Sequence, residues 1–149
     1  MNHLRTIALT FLAVLILSPL SAAACSCDAT PFPAKALEQA DLVFFGTVSR
    51  YFQGTGIHAE SQLFWEFAVE GVWKGPAQQT MRIYENDFDG SEDKCGHKFE
   101  VGLNYLVYAF VNEKAPNRFR AHLCSRTKPG KESLLDLAYL GAPPHTFAK

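Results

Sequence analysis

The sequence predicts a small, mainly β domain in which five strands close, fully or in part, into a barrel, with one short helix before them and one helix after them. Five segments are rich in β-branched and aromatic residues or alternate between apolar and polar residues, as strands do. The chain has 149 residues, and the part after residue 24 has the size of one domain with a single core. A flat five-stranded sheet would bury little at this size, so closure of the sheet is expected.

Residues 1–24 have the pattern of a secretory signal peptide. Arg5 gives a basic start, residues 7–17 form an apolar run interrupted by Thr10, and Ala22 and Ala24 are the small residues before a cleavage site. The apolar run is too short to span a bilayer as a helix. Cleavage after Ala24 would make Cys25 the first residue of a mature domain, residues 25–149, and would leave its α-amino group free.

The same junction also allows a bacterial lipoprotein, in which Cys25 is acylated. Ala22 then stands where a larger aliphatic residue is usual. Acylation of Cys25 would also leave an odd number of thiols in an oxidising compartment. Membrane attachment is expected only in that case, and otherwise the protein is expected to be secreted, extracellular or periplasmic.

The charge and the cysteines of the mature chain limit its chemistry. Without the single Arg of the leader, 13 Lys and Arg residues face 15 Asp and Glu residues, a net charge of −2. This balance does not suit binding to a nucleic-acid backbone, so no nucleic-acid partner is expected. The four cysteines of an exported chain predict two disulfides, with three possible pairings: they are Cys25, Cys27, Cys95 and Cys124.

Geometry disfavours one of these pairings and leaves the other two open. Cys25 and Cys27 are only two residues apart, and a bridge between them would be poorly set for the S–S dihedral angle of about 90°. A zinc site made of the four cysteines is disfavoured as well, because the chain lacks paired C-x-x-C motifs.

The first elements after the cysteines are a helix and a long strand. Thr30 is predicted to cap the helix, with a proline in its first turn, and 34–40 are good helix formers. Leu42 to Phe52 is predicted to be a strand, and Gly46 within it indicates a bulge or bend.

Two further strands and a long loop follow. Residues 63–73 alternate, with Trp65 and Phe67 on one face, and 80–84 form a short third strand. The acidic segment from Glu85 to Lys98 is the longest non-periodic part of the domain, and such loops are often functional.

The last part of the chain predicts two strands and a helix. Residues 103–111 are nearly all apolar and indicate a central strand, after which Pro116 and Asn117 are expected to turn the chain into a strand at 118–124. Residues 132–140 predict a helix with an apolar stripe made of Leu134, Leu135, Leu137 and Ala138. The predicted core includes Val43, Phe45, Trp65, Phe67, Leu106 and Tyr108.

The sequence contains none of the common catalytic signatures, so an enzyme is not expected. It has no H-E-x-x-H, no G-x-S-x-G, no phosphate-binding glycine loop and no C-x-x-C. His97 is interpreted as an exposed loop histidine. The acidic run from Glu85 to Asp93 lacks the full spacing of a calcium-binding EF-hand loop and is interpreted as solvated. Most aromatic residues are expected in the core rather than in a stacking platform for nucleic acid.

Several short motifs, in their order, resemble one family. These motifs are Cys25-Ser26-Cys27 directly after the leader, Phe44-Phe45-Gly46-Thr47-Val48, Val72-Trp73-Lys74-Gly75, Cys95-Gly96, Gly102 with Tyr105-Leu106-Val107-Tyr108-Ala109, and Leu123-Cys124-Ser125-Arg126-Thr127. Together they span the mature chain to about Leu140 and resemble the N-terminal, netrin-like domain of the tissue inhibitors of metalloproteinases.

The resemblance implies a five-stranded OB-fold barrel with disulfides Cys25–Cys95 and Cys27–Cys124. It also implies that the α-amino nitrogen and carbonyl oxygen of Cys25 bind the catalytic zinc of a target protease, while the side chain of Ser26 enters the specificity pocket. The surrounding contact ridge would consist of Cys27, Asp28, Asp93, Lys94, Cys95 and Gly96. No cofactor is expected, since the zinc belongs to the protease.

The chain also departs from the family. The third disulfide of the animal inhibitors and their cysteine-rich C-terminal domain are missing, and Asp28-Ala29-Thr30 replaces their usual apolar start. The sequence is therefore compatible with two functions. The first is a secreted inhibitor of an extracellular zinc metalloprotease, and the alternative is a netrin-like extracellular binding module without inhibitory activity, with Cys25 acylated in the lipoprotein case.

Overall fold

A computed structural model describes residues 27, 29–54, 63–85, 95–112 and 115–148 of the chain. These residues form two α-helices and seven strands, numbered here in chain order. The helices are α1, Pro33–Gln39, and α2, Leu134–Leu140. The strands are β1, Leu42–Phe52; β2, Phe64–Lys74; β3, Thr80–Tyr84; β4, Asn104–Asn112; β5, Ala115–Arg120; β6, Lys128–Pro129; and β7, His145–Thr146. Within the described ranges, no helix is long and apolar enough to cross a membrane.

The hydrogen bonds of the sheet form a ring through five strands. β1 pairs antiparallel with both β2 and β4, β2 pairs antiparallel with β3, and β4 pairs antiparallel with β5. The ring closes where β3 meets β5 in parallel, at Ile83 and Phe119. Strands β6 and β7 add to the ring at β4 and β2. The expected mainly β fold, with five principal strands between two helices, is therefore present.

The predicted irregularity at Gly46 is confirmed. The register between β1 and β2 shifts between Phe45 and Gly46. A Cβ atom at position 46 would lie 2.6 Å from the carbonyl oxygen of Ala68. Glycine therefore permits the close approach of the two backbones at this bend.

The strand limits agree with the sequence except in β5. The predicted β1 and β3 have the observed bounds, and β2 and β4 are displaced by one residue. The predicted turn at Pro116 and Asn117 is wrong, because both residues belong to β5. The pairing with β4 shifts register between Asn112, opposite Ala115, and Val111, opposite Phe119. Proline cannot donate to a sheet ladder and is tolerated where pairing is irregular.

The first helix begins later than the sequence indicates. Its N-cap residue is Phe32, which makes no side-chain cap, so Thr30 does not have the predicted capping role. A proline lies in the first turn, as expected, but it is Pro33 at the first helical position, whereas a cap at Thr30 would have placed Pro31 there; the missing N–H of Pro33 removes one donor that would need a partner.

The apolar core has two parts, on the two faces of the sheet. The inner cluster contains Leu42, Phe44, Phe67, Val107 and Ile83, among others. The outer cluster lies against the helices and contains Val43, Leu106 and Tyr108 together with Ala36 and Ala40.

The predicted core therefore mixed two faces. Phe67 is in the inner cluster and Trp65 packs against it, whereas Val43, Leu106 and Tyr108 belong to the outer cluster, with Phe45 packed against it. β1 and β4 are buried on both faces along most of their length, so their sequences lack the alternation that identifies a face.

The predicted apolar stripe of the last helix is wrong at Leu134, Leu135 and Ala138, which are exposed, and correct at Leu137, which packs against the outer cluster. Leu134 and Leu135 are 68% and 85% exposed, whereas Asp136 between them and Leu137 is 1% exposed. The α-helix begins at Leu134, after a short 3-10 turn, Gly130–Glu132. The helix places Asp136 on its buried side because two cationic side chains, Arg126 and Lys128, compensate its charge there.

Candidate functional site

The Cys27–Cys124 disulfide attaches the start of the described chain to the segment after β5. The two Cα atoms are 5.3 Å apart, and 97 positions separate the residues in sequence. The bridge is the one implied by the resemblance. It excludes the other open pairing, in which Cys27 would join Cys95, and it occupies thiols that a four-cysteine zinc site would need.

The segment around Cys95 lies beside the same part of the chain. The backbone N–H of Leu123 donates to the carbonyl of Cys95 at 2.6 Å, and the N–H of His97 donates to the carbonyl of Ala121 at 2.8 Å. Gly96 and His122 form an isolated antiparallel bridge. Three predicted site residues, Cys27, Cys95 and Gly96, are thus brought to the same segment of the chain, residues 121–124.

The remaining predicted site residues lie outside the described residues. They are Cys25, Ser26, Asp28, Asp93 and Lys94. Cys95 is itself disulfide-bonded. Its predicted pairing with Cys25 stays a prediction, as does the absence of calcium from the acidic loop, most of which lies in the range 86–94.

Arg126 connects the N-terminal segment to the last helix. Its Nη1 donates to the carbonyl oxygen of Pro31 at 2.6 Å, while Nε and Nη2 donate to the two carboxylate oxygens of Asp136 at 2.5 and 2.8 Å. Lys128 adds a 3.2 Å contact to the same carboxylate. The bidentate bond to Asp136 raises the pKa of the Arg126 guanidinium.

The sequence did not predict that Arg126, Lys128 and Asp136 form a cluster. Arg126 belongs to one of the motifs that carry the resemblance, but the sequence offers no pattern that pairs it with Asp136. The only available signal is an acidic residue placed among the leucines of a predicted helix stripe. Its charge requires a buried partner, and only the fold shows which one.

A cleft of about 240 Å³ lies between α1, β4 and the segment that holds the disulfide. Its lining includes Pro31, Ala36, Tyr108, Phe110, His122 and Arg126. Cys124 also borders it, so the cleft adjoins the predicted contact region.

Tyr108 lines this cleft with a side chain that is 1% exposed. Its hydroxyl oxygen is buried and makes no hydrogen bond within the described residues. Burial, helped by the negative charge of Asp136 and opposed by Arg126, raises the pKa of the Tyr108 hydroxyl to about 12.

His97 is packed rather than exposed, contrary to the sequence-based interpretation. Its ring lies 4.7 Å from that of Phe99 and 5.9 Å from that of Tyr105. Its Nδ1 is buried and lacks a hydrogen-bond partner in the described part of the chain. Burial lowers the pKa of the imidazole, because the charged form loses solvation.

A second feature, the aromatic surface, lies where β1 ends, β2 begins and β3 ends, and the Tyr51 hydroxyl there donates to the Glu85 carboxylate. Its members are Tyr51, Phe52, Tyr84, Arg82 and Arg118, which pack over the buried Phe64 and the half-buried Trp65. Phe52 stacks on Phe64 at 4.9 Å, and the guanidinium of Arg118 lies 4.6 Å from the centre of the Tyr84 ring. Tyr51 and Phe52 are 36% and 37% exposed, so some aromatics are at the surface rather than in the core.

Among the described residues, no group of three or more His, Cys, Asp or Glu side chains is placed to hold a metal ion. Comparison of the chain with family models and with curated proteins found no match.

Proposed function

We propose that the protein is a secreted inhibitor of zinc metalloproteases that acts through the mature N-terminus at Cys25. In this proposal the five-strand ring is an OB-fold-like barrel, and a second disulfide joins Cys25 to Cys95. The observation that carries the proposal is the Cys27–Cys124 disulfide. It places a fixed point of the backbone two residues after the proposed zinc-binding residue.

The chemistry requires a rigid terminus with a free amine. A catalytic zinc keeps one coordination position for water or substrate and can expand to five ligands, so an α-amine and the neighbouring carbonyl oxygen can bind it together. A terminus held in advance avoids the cost of ordering a flexible chain on binding. Because an α-amine has a reference pKa of about 7.7 to 8, part of it is neutral at pH 7 and can bind the metal.

Two independent contacts support such a terminus. The disulfide holds residue 27, and the bond from Arg126 holds the carbonyl of Pro31. The cation that makes the second contact is itself fixed by the buried Asp136. The segment between residues 27 and 31 is therefore attached at both ends to the body of the domain.

The first test is the chemical state of the mature N-terminus together with inhibition of a panel of secreted zinc proteases. Mass spectrometry is expected to show unmodified Cys25 as residue one, and the protein is expected to inhibit at least one protease. Ser26→Gly is expected to change the ranking of the proteases inhibited, since it removes only the side chain proposed to enter the pocket. Acylated Cys25, or no inhibition by the parent protein across the panel, would refute the proposal.

A netrin-like binding module is the second candidate, and the aromatic surface favours it. Tyr, Trp and Arg are the residue types that dominate binding energy in protein interfaces. Under this alternative, Tyr51→Ser with Phe52→Ser would abolish capture of an extracellular protein partner, while an alanine added before Cys25 would not. Under the inhibitor proposal, Tyr51→Ser with Phe52→Ser would leave zinc-directed inhibition in place, and the added alanine would abolish it.

A further inference from the structure

We propose that the cleft between α1 and β4 is a binding site for a small, uncharged aromatic molecule that carries one hydrogen-bond-accepting oxygen. This site is separate from zinc chelation and does not rest on it. Four features of the cleft restrict the chemistry of the ligand. They are its volume, its lining, the unpartnered Tyr108 hydroxyl and the paired charge of Arg126.

The volume sets the size of the ligand. Drug-sized molecules occupy pockets of about 300 to 1,000 Å³, whereas an apolar cavity of about 150 Å³ accepts benzene. The cleft, at about 240 Å³, lies between these values. A single ring with a short substituent is the matching size.

The lining favours an aromatic ring. Phe110 and His122 lie side by side with ring centres 5.7 Å apart and planes inclined by 54°. Ala36 and Pro31 supply aliphatic surface. Lys74 holds the α1 wall in place, since its Nζ donates to the carbonyls of Leu37 and Glu38 at 3.0 and 2.9 Å. A flat apolar ring would contact aromatic and aliphatic walls that are already held in place before the ligand binds.

The buried Tyr108 hydroxyl is the reason that the ligand should carry a hydrogen-bond-accepting oxygen. A buried hydroxyl without a partner is costly, and the described residues give it none. The backbone N–H and carbonyl of Tyr108 are both bonded to the Thr127 hydroxyl, at 2.9 and 3.1 Å, so the residue itself is firmly held. A ligand oxygen at this hydroxyl would supply the missing hydrogen bond.

The charge of the cleft favours a neutral ligand. Arg126 is the cationic residue of the lining, and its guanidinium is committed to Asp136 and to the carbonyl of Pro31. An anionic ligand would have to compete with a buried carboxylate for that cation. A neutral ketone needs no such exchange.

The test uses two ligands of nearly the same shape, acetophenone and α-methylstyrene, in which C=O replaces C=CH₂. Each is titrated into the full mature protein at millimolar concentration and followed by NMR. Both are expected to shift the resonances of Ala36, Phe110 and His122. Tyr108→Phe is expected to weaken acetophenone about five- to tenfold, the loss of one hydrogen bond, and to leave α-methylstyrene unchanged.

A second variant keeps the test decisive. Gln39→Trp changes an exposed residue of the cleft rim, so it leaves the core alone and is expected to weaken both ligands by covering the opening. The proposal is overturned if neither ligand shifts these resonances, if Tyr108→Phe weakens both ligands equally, or if Gln39→Trp affects neither.

Discussion

Asp136 holds a negative charge in an almost fully buried position, and its two carboxylate oxygens are held by cations. Arg126 binds both oxygens, and Lys128 binds one of them. Removing one partner of a buried ion pair costs more than the pair contributes, because the other charge stays behind without compensation.

We therefore expect Asp136→Ala to lower the free energy of unfolding by about 3 kcal/mol. Urea unfolding of the mature protein measures the change. Glu132→Ala removes an exposed acid from the neighbouring 3-10 turn and should stay within about 0.5 kcal/mol of the parent. Equal stability of the two variants would show that the Asp136 pair is not structural.

The Thr127 hydroxyl makes the hydrogen bonds to the Tyr108 backbone that a neighbouring strand would otherwise make. It accepts from the backbone N–H of Tyr108 and donates to its carbonyl. Thr127→Val keeps the shape and leaves both buried backbone groups unpaired, so a loss of about 2 kcal/mol is expected. Tyr108→Phe is the matched control and should cost nothing, since its hydroxyl has no partner in the described structure. Thermal or urea unfolding that ranks Tyr108→Phe below Thr127→Val would contradict this assignment.

His97 should make stability depend on pH in a mildly acidic range. Because burial lowers its pKa in the folded protein, the unfolded chain binds more protons below the reference value of about 6.5. Its contribution is present above that pH and is lost as the pH falls towards and through the lowered value.

The measurement is the unfolding midpoint at pH 7.5 and at pH 5.5. His97→Gln should flatten the difference between the two midpoints, whereas His145→Gln, at an exposed position, should retain it. A parent protein that is equally stable at both values would show that His97 does not carry this dependence.

At the residue level, the sequence predicts what is local and misses what depends on a distant partner. The resemblance correctly implied the Cys27–Cys124 bridge. It did not assign a partner to Arg126, and helical periodicity placed Leu135 rather than Asp136 towards the core. Periodicity detects hydrophobicity, and a buried acid becomes stable only through cations supplied by another segment.

Among the elements, β1 shows where a strand can be predicted and its orientation cannot. Its bounds follow from β-branched and aromatic residues, and they agree with the structure. Its faces do not follow, because Leu42 and Val43 are both fully buried and point to different clusters. In β5, the proline and asparagine that suggest a turn are accommodated by irregular pairing.

The bend of β1 at Gly46 gives a sharp test of the sheet geometry. Gly46→Ala would place a methyl group 2.6 Å from the Ala68 carbonyl oxygen and 3.1 Å from the Val69 Cα atom. Both are backbone atoms, so the strands must separate, and overpacking of this kind typically costs about 1 to 3 kcal/mol. A variant as stable as the parent in urea would mean that β1 and β2 do not approach this closely.

For the whole molecule, the ring and the disulfide act together on the N-terminal segment. Within chain-entropy models, a bridge that closes a loop of nearly 100 residues stabilises the fold by about 4 to 5 kcal/mol. The bridge also fixes residue 27 against the segment that carries Arg126. Stability and the position of the terminus thus depend on the same contacts.

The five-strand arrangement could be expected from length and strand count, but not its closing pair. β3 and β5 meet in parallel through one residue pair, Ile83 with Phe119. Neither strand carries a local pattern that specifies a parallel neighbour. The strands β1, β2 and β4 constrain where β3 and β5 lie, and closure follows from the packing of the whole sheet.

The most direct test of the proposed function compares inhibition by the mature protein with inhibition by a form that carries one extra alanine before Cys25. The extension turns the α-amine into an amide, a poor zinc ligand, and leaves the core and the Cys27–Cys124 bridge unchanged. We expect a melting temperature equal to that of the parent and complete loss of inhibition against every zinc protease that the parent inhibits. Full inhibition by the extended form would contradict chelation of zinc by the N-terminus.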